Sequence, residues 1–238
     1  MANGLIAYEA RHRMVVDESF VAIAGAVNFQ PVRLTLSING SEAETVETLS
    51  DGSFFSVVSL AVGFNEITIT AEGSAGATVQ TIIPVIRLVT DRKQSDLSAL
   101  LSLLKKPVDQ WAEQERAAFY AGLYQGGYSA VDLNRVVLTL QTFVSALRKA
   151  GYFAPQNTRK NWSFEDRLLP SEAETYLADI ESVRNALPLF SETPATPKTM
   201  EKLGWKEAND IEKILILADA MLAKRSSWYS GEIYSGEV

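Results

Sequence analysis

Residues 32–39, VRLTLSIN, alternate apolar and polar side chains without a break. The apolar members are Val32, Leu34, Leu36 and Ile38. A period of two residues is typical of a β-strand that buries one face. Residues 66–71 repeat the pattern, with Ile67, Ile69 and Ala71 opposed to polar neighbours. Both stretches therefore predict half-buried strands.

Turn-forming residues separate the alternating stretches between about residues 8 and 88. They are Gln30-Pro31, Asn39-Gly40, Asp51-Gly52, residues 63–65 and residues 73–76. Short strands separated by such turns at regular spacing indicate an antiparallel sandwich. We predict six or seven strands and assign residues 1–89 to this β-sandwich.

The periodicity changes at Thr90-Asp91, and from there to about residue 225 the apolar residues recur at helical spacing. Five helices are predicted. One ends at Gly126-Gly127, the next begins at the N-cap Ser129, a fourth begins with a capping box at Ser171 and Glu174, and the last covers roughly 205–225. The fold class is therefore multidomain β plus α, a sandwich followed by a small helical bundle in residues 90–225.

The C-terminal residues 226–238 repeat a short motif: Tyr229-Ser-Gly-Glu232 returns as Tyr234-Ser-Gly-Glu237. The glycines disfavour a helix, whereas regularly spaced aromatic side chains favour contact with a protein surface. We predict a docked arm over residues 226–238.

Charge and composition argue against a nucleic-acid-binding protein, a membrane-spanning protein and a signal peptide. The 238 residues carry a net charge of −7, with nine acidic and four basic residues in 1–90. Neither part has the positive field that phosphate binding needs, which argues against a nucleic-acid ligand. No apolar stretch is long enough to span a membrane, and the N-terminal residues lack the apolar core of a signal peptide.

No catalytic constellation is apparent. The chain has no cysteine, and its one histidine, His12, stands between two arginines. The loop carboxylates Asp109, Glu165 and Asp166 could form a glycosidase pair, but solvated charges are the simpler interpretation. The acidic groups at 17–18 and 42–47 lack the spacing of a calcium loop. We predict no catalytic residue, no cofactor and no metal.

Aromatic side chains are the remaining binding candidates. Trp162 lies in a polar loop where its ring could stack on a ligand or plug the bundle. With Trp228, Tyr229 and Tyr234 of the arm it forms the set predicted to bind partners. The phenylalanines of the first 90 residues are interpreted as core or turn residues: Phe20, Phe29, Phe54, Phe55 and Phe64.

Two resemblances follow from motifs. Residues 20–88, with Asn39-Gly40, Asp51-Gly-Ser-Phe54 and Gly63-x-Asn65-x-Ile67, resemble bacterial immunoglobulin-like modules. Such modules occur on glucan hydrolases and on surface or phage proteins, mostly as spacers and adhesive units. Most of 90–238 resembles a helical module of tail and baseplate-region proteins in phages and prophages of Gram-positive bacteria. The matching motifs are Thr90-Asp-Arg92, Trp111, Tyr128 to Val136, Lys160-Asn-Trp162, Ala208 to Leu215 and the closing repeat.

The second resemblance implies a virion structural protein of the tail or baseplate that contributes to assembly and host attachment. Its expected partners are other virion proteins, further copies of itself and a host cell-surface glycan. No catalytic residues come with the resemblance, and Gly126-Gly127-Tyr128-Ser129 stands where relatives often have Gly-Ala-Tyr-Asn. The alternatives are a cell-surface or carbohydrate-binding adhesion module outside a virion, and an enzyme.

Overall fold

The protein is described here by a computed structural model that covers residues 5–9, 15–29, 31, 33–74, 76–188, 190–201 and 203–229, with the backbone alone for 5–9 and 226–229. The chain divides into two compact units, Met1–Arg87 and Leu88–Val238. The first is a β-sheet region and the second is helical, as the change of periodicity predicted. Residues 88 and 89 belong to the helical unit, where the backbone N–H of Val89 donates to the carboxylate of Glu212 at 2.7 Å.

The described part of the first unit forms eight strands. They are β1 Leu5–Glu9, β2 Val15–Val16, β3 Phe20–Val27, β4 Arg33–Ile38, β5 Glu44–Thr45, β6 Ser53–Ser59, β7 Gly63–Glu72 and β8 Thr78–Arg87. One sheet has the order β1-β3-β6 and the other the order β2-β8-β7-β4-β5. Neighbouring strands are antiparallel except for β2, which pairs parallel with β8.

The two sheets share one hydrophobic core. The register pairs Leu34 with Ala71 and Leu36 with Ile69, so the predicted apolar faces of β4 and β7 are buried together. Ile23 and Val58 of the three-stranded sheet belong to the same cluster. Each large aliphatic side chain buried in this way contributes roughly 1.5–3 kcal/mol. Val32, the first residue of the alternating stretch, lies outside the described residues.

Two asparagines hold the connection into β7. Asn65 is fully buried, and its amide accepts from the N–H of Ala61 at 2.9 Å and donates to the carbonyls of Ala61 and Gly63. Asn39 adopts a φ of +53° after β4, and its side chain accepts from the N–H of Glu66 at 2.8 Å. Asparagine suits both places because its side chain replaces backbone partners and tolerates positive φ.

The described part of the second unit forms five α-helices and one 3-10 turn, Val108–Gln110. The helices are α1 Gln94–Leu104, α2 Glu113–Tyr120, α3 Ala130–Lys149, α4 Pro170–Ala186 and α5 Trp205–Tyr229. Helices α3, α4 and α5 pack against one another around the fully buried side chains of Val136, Leu140, Phe143, Tyr176, Ile180, Ile211 and Ile214.

The structure confirms one predicted helix boundary, the start of α3, and corrects three others. The hydroxyl of Ser129 accepts from Val131 at the start of α3, as predicted. Helix α2 ends before Gly122, which adopts a φ of +70°, and not at Gly126. Ser171 was predicted to be the N-cap of α4, but the helix already begins at Pro170. The carboxylate of Glu172 instead accepts from the N–H of Leu169, the residue before the helix. Helix α5 reaches Tyr229, so residues 226–229 of the expected arm are helical; these four residues contain no glycine.

Candidate functional site

Four charged side chains meet inside the helical unit. Arg92 precedes α1, Asp132 and Arg135 lie on α3, and Glu212 lies on α5. Arg92 donates to Asp132 at 2.9 Å and to Glu212 at 2.5 Å. Arg135 donates to the same two carboxylates at 2.5 Å and 2.7 Å. All four residues are buried, and their formal charges cancel.

Mutual attraction favours the charged forms of Asp132, Arg92 and Arg135. Burial alone would raise the pKa of Asp132, but the guanidinium groups of Arg135 and Arg92 hold that pKa below its ordinary value. Burial likewise opposes the charge of Arg92, yet the Glu212 and Asp132 carboxylates raise its pKa. The neighbouring Tyr128 is buried, which raises its pKa, and its hydroxyl lies 2.6 Å from that of Tyr176. A charge-balanced network of this kind fixes three segments, and both of its carboxylates are paired with arginines.

This network was not predicted from the sequence. The visible signal was a charge within an otherwise apolar helical stripe: Glu212 stands between Ile211 and Ile214, and Arg135 beside Val136. A charge on a buried helix face needs a partner of opposite sign. Which partner it meets depends on the tertiary packing of α3 against α5.

An open groove of about 480 Å³ lies in the same unit. Its walls come from α1, the end of α2 with the segment that follows it, the first turn of α3, the loop around residue 164 and the chain just before α5. Its apolar and aromatic lining comprises Leu100, Leu104, Phe119, Tyr124, Tyr128, Leu133, Trp162, Phe164, Leu168, Met200 and Leu203; Asp166 and Glu201 are its acidic residues.

The two glycines that were expected to end a helix instead shape this groove. A Cβ on Gly126 would stand 2.2 Å from the carbonyl oxygen of Asp96, and one on Gly127 would stand 2.7 Å from a methyl of Leu100. Only glycine allows the chain to approach α1 so closely. The approach brings the start of α3 beside α1 and closes one wall of the groove.

Aromatic rings continue from the groove onto the surface. The ring of Phe119 lies 5.0 Å from that of Trp111 and 5.6 Å from that of Phe164, and Tyr120 lies 5.3 Å from Phe164. Half or more of the Leu104 and Tyr120 side chains is exposed, and 38% of Phe164. This combination of an apolar recess and an apolar rim is typical of protein-binding surfaces.

Trp162 forms part of the groove wall and is only 5% exposed. Its indole N–H donates to the carbonyl of Arg159 at 3.1 Å, and the Arg159 guanidinium lies 4.5 Å from the ring centroid. The side chain of Asn134 binds both the N–H and the C=O of Trp162 at 2.8 Å. The ring that reaches solvent beside it is Phe164. The side chains of Trp228 and Tyr229, and all of Tyr234, lie outside the described residues.

The candidate carboxylates do not form a pair. Asp166 accepts from the N–H of Ser163 at 2.7 Å and from Arg159 at 2.6 Å, and both contacts lower its pKa. Glu165 and Asp109 are exposed to solvent. His12 lies outside the described residues, among which no three histidine, aspartate or glutamate side chains are grouped as metal ligands would be. None of the helices described is both long and apolar enough to cross a bilayer.

The outer face of the three-stranded sheet is apolar. Ala22 pairs with Val57 and Ala24 with Phe55, and 64% of the Phe55 side chain is exposed. Phe20 on β3 and Phe64 on β7 are also exposed. The interpretation of the phenylalanines as core or turn residues is therefore wrong for Phe20, Phe55 and Phe64, because they lie on strand faces that point away from the core.

Comparison with known proteins identifies no family for the chain. No family model matches, and no curated protein matches. Among solved structures, a protein from Bacteroides fragilis described as a β-galactosidase is 16% identical with a TM-score of 0.32, and the match covers 40% of this chain and 14% of the other. A Br derivative of BhCBM56 is 21% identical with a TM-score of 0.23, and the match covers 29% of this chain and 79% of the other. Likenesses this distant identify neither a fold nor a function.

Proposed function

We propose that the protein is a non-catalytic structural subunit of a phage tail or baseplate region, joined to neighbouring subunits through its helical unit. The proposal combines the resemblance of residues 90–238 to tail-associated helical modules with the groove of that unit. An open recess lined by leucines and aromatic rings, with Leu104 and Phe164 exposed at its rim, supports protein contact. This groove is the observation that carries the proposal.

The first unit is proposed to be an immunoglobulin-like sandwich. The strand orders β1-β3-β6 and β8-β7-β4 correspond to the A-B-E and G-F-C orders of that fold. The parallel pairing of β2 with β8 fits a first strand that leaves one sheet and joins the other. In the tail such a unit would act as a spacer or adhesive module, and host attachment would be a property of the whole tail.

Absence of catalysis is part of the proposal. Asp166 is held ionised by Arg159 and Ser163, so it is a poor general acid at neutral pH. The buried carboxylates of Asp132 and Glu212 are occupied by arginines. Hydrolysis of cell-wall polymers that disappears in Asp166→Asn and persists in Asp109→Asn would contradict this part.

Particle labelling tests the location. Antibody raised against the protein should decorate the tails of intact particles, and mass spectrometry of purified particles should recover its peptides. A chain absent from purified particles would contradict the proposal.

Carbohydrate binding outside a virion is the second candidate. The observation in its favour is the exposed aromatic surface of the β unit, where Phe20 and Phe55 share one sheet face. The residues around them on that face are Ala22, Ala24 and Val57, and Ser59, which pairs with Phe20, supplies an exposed hydroxyl. A glycan that raises the melting temperature of the wild type, but not of Phe55→Ala, would favour this candidate.

A further inference from the structure

The groove and the end of α5 lie at opposite ends of the helical unit. Helices α3 and α5 run in the same direction, because Arg135 and Glu212 pair near their starts while Arg225 lies 5.4 Å from the ring of Tyr152 near their ends. The groove is lined by the first turn of α3 and by residues 200–203 just before α5. It therefore belongs to the end of the unit where both helices start.

The residues that follow α5 leave from the other end. Helix α5 has 25 residues, which at 1.5 Å per residue is a length of about 37 Å. An extended chain advances at most about 3.6 Å per residue, so Tyr234 reaches no more than about 18 Å from Tyr229. The pair Ile233-Tyr234 therefore cannot enter the groove of its own chain.

The chemistry of the segment 230–238 fits the groove. Ile233, Tyr234 and Val238 supply apolar and aromatic side chains to a lining of leucines and aromatic rings. Gly231 and Gly236 permit close approach of the backbone. Charge contributes little to the fit. Glu232 and Glu237 would meet the acidic groove residues Glu201 and Asp166, but Asp166 is paired with Arg159, and the exposed Lys105 and Arg167 are chain neighbours of groove residues. Association should accordingly depend weakly on salt.

We propose that residues 230–238 of one copy bind the groove of the next copy, in a head-to-tail contact. The inference rests on the proposed function only in requiring that the chain self-associates. Because the donor segment and the acceptor groove are different surfaces, the contact is heterologous and repeats until it closes a ring or extends a filament. The copies would be linked through opposite ends of their helical units.

Cross-linking between two single-cysteine variants tests the contact, because the natural chain has no cysteine. Full-length Leu104→Cys is mixed with full-length Tyr234→Cys and treated with a short bismaleimide. A covalent product of twice the chain mass that contains one copy of each variant is expected. Leu49→Cys is the matched control for the acceptor, since Leu49 is an exposed leucine of the β unit, and it should give at least tenfold less product with Tyr234→Cys.

The double variant Leu104→Cys/Tyr234→Cys distinguishes contacts within a chain from contacts between chains. It should give a ladder of multimers, and a cross-linked monomer would overturn the proposal. No product in a protein that light scattering shows to be multimeric would also overturn it, while leaving the proposed assembly function in place. No product in a strictly monomeric protein would contradict both.

Discussion

At the scale of single residues, the buried charges of the helical unit set its response to acid. The pKa of Asp132 is lowered in the folded state, so its ionisation adds stability above its unfolded pKa of about 3.9. That contribution is lost as the pH falls through the lower folded-state pKa. Asp132→Asn should cost about 3–5 kcal/mol at neutral pH, because it leaves two buried arginines facing one carboxylate.

Urea unfolding between pH 7 and pH 2 measures this effect. The difference between wild type and Asp132→Asn should shrink below about pH 4. Asp109→Asn, a change at an exposed aspartate, should follow the wild type throughout. A difference that is constant with pH would mean that the carboxylate charge of Asp132 is not what stabilises the network.

Substitutions at Trp162 and Phe164 should affect different properties, folding stability for Trp162 and self-association for Phe164. Truncating the buried Trp162 to alanine should cost about 3–5 kcal/mol of unfolding free energy. Phe164→Ala removes a partly exposed ring at the groove rim and should cost less than about 1.5 kcal/mol while weakening self-association. Thermal unfolding and light scattering measure the two effects. Weakened self-association in Trp162→Ala together with unchanged self-association in Phe164→Ala would place the binding surface at Trp162.

At the scale of elements, the loop between α3 and α4 depends on two anchors. Asn134 of α3 binds the backbone of Trp162 through both amide atoms, and the Asp179 carboxylate of α4 accepts from the N–H groups of Asn157 and Thr158 at 2.7 Å. Asn134→Ala should leave two buried backbone groups without partners, which costs about 1–3 kcal/mol each.

Proteolysis of Asn134→Ala should cut first within residues 151–169, and tryptophan emission should shift to longer wavelength. Thr142→Ala, which removes a solvent-facing hydroxyl of the same helix, is the control. Unchanged cleavage within 151–169 would show that this anchor is dispensable.

Strands and helices with periodic apolar residues were predictable from the sequence, whereas contacts between segments that are distant in the chain were not. The alternation in VRLTLSIN predicted the burial of Leu34 and Leu36 in β4 but not that of Thr35, and Ser129 with Asp132 marked the start of α3, because both patterns depend on neighbours in sequence. The role of Gly126 was missed because the atom that excludes a Cβ belongs to Asp96, 30 residues away in the chain. The groove was missed for the same reason, since its walls come from five separate segments. Trp162 could be singled out, but not its burial under Arg159.

At the scale of the whole molecule, the two units should fold separately. A fragment covering 88–238 keeps Val89 and Arg92, which bind Glu212. It should give a helical circular dichroism spectrum and one cooperative transition. A fragment covering 93–238 lacks both partners and should melt about 6–20 °C lower, because a loss of about 3–5 kcal/mol corresponds to such a shift in a domain of this size. Equal melting temperatures for the two fragments would contradict the assigned role of Arg92.

The central claim is that copies of the chain assemble through the groove of the helical unit. Light scattering of the purified full chain over a concentration series tests it most directly. Leu104→Glu is the groove variant, and Leu49→Glu, at another exposed leucine, is the control. Both variants place a charge on the surface and leave the core unchanged. The account predicts a defined multimer for the wild type and for Leu49→Glu, and a monomer for Leu104→Glu. A wild-type protein that stays monomeric throughout, or a Leu104→Glu variant that assembles as the wild type does, would contradict it.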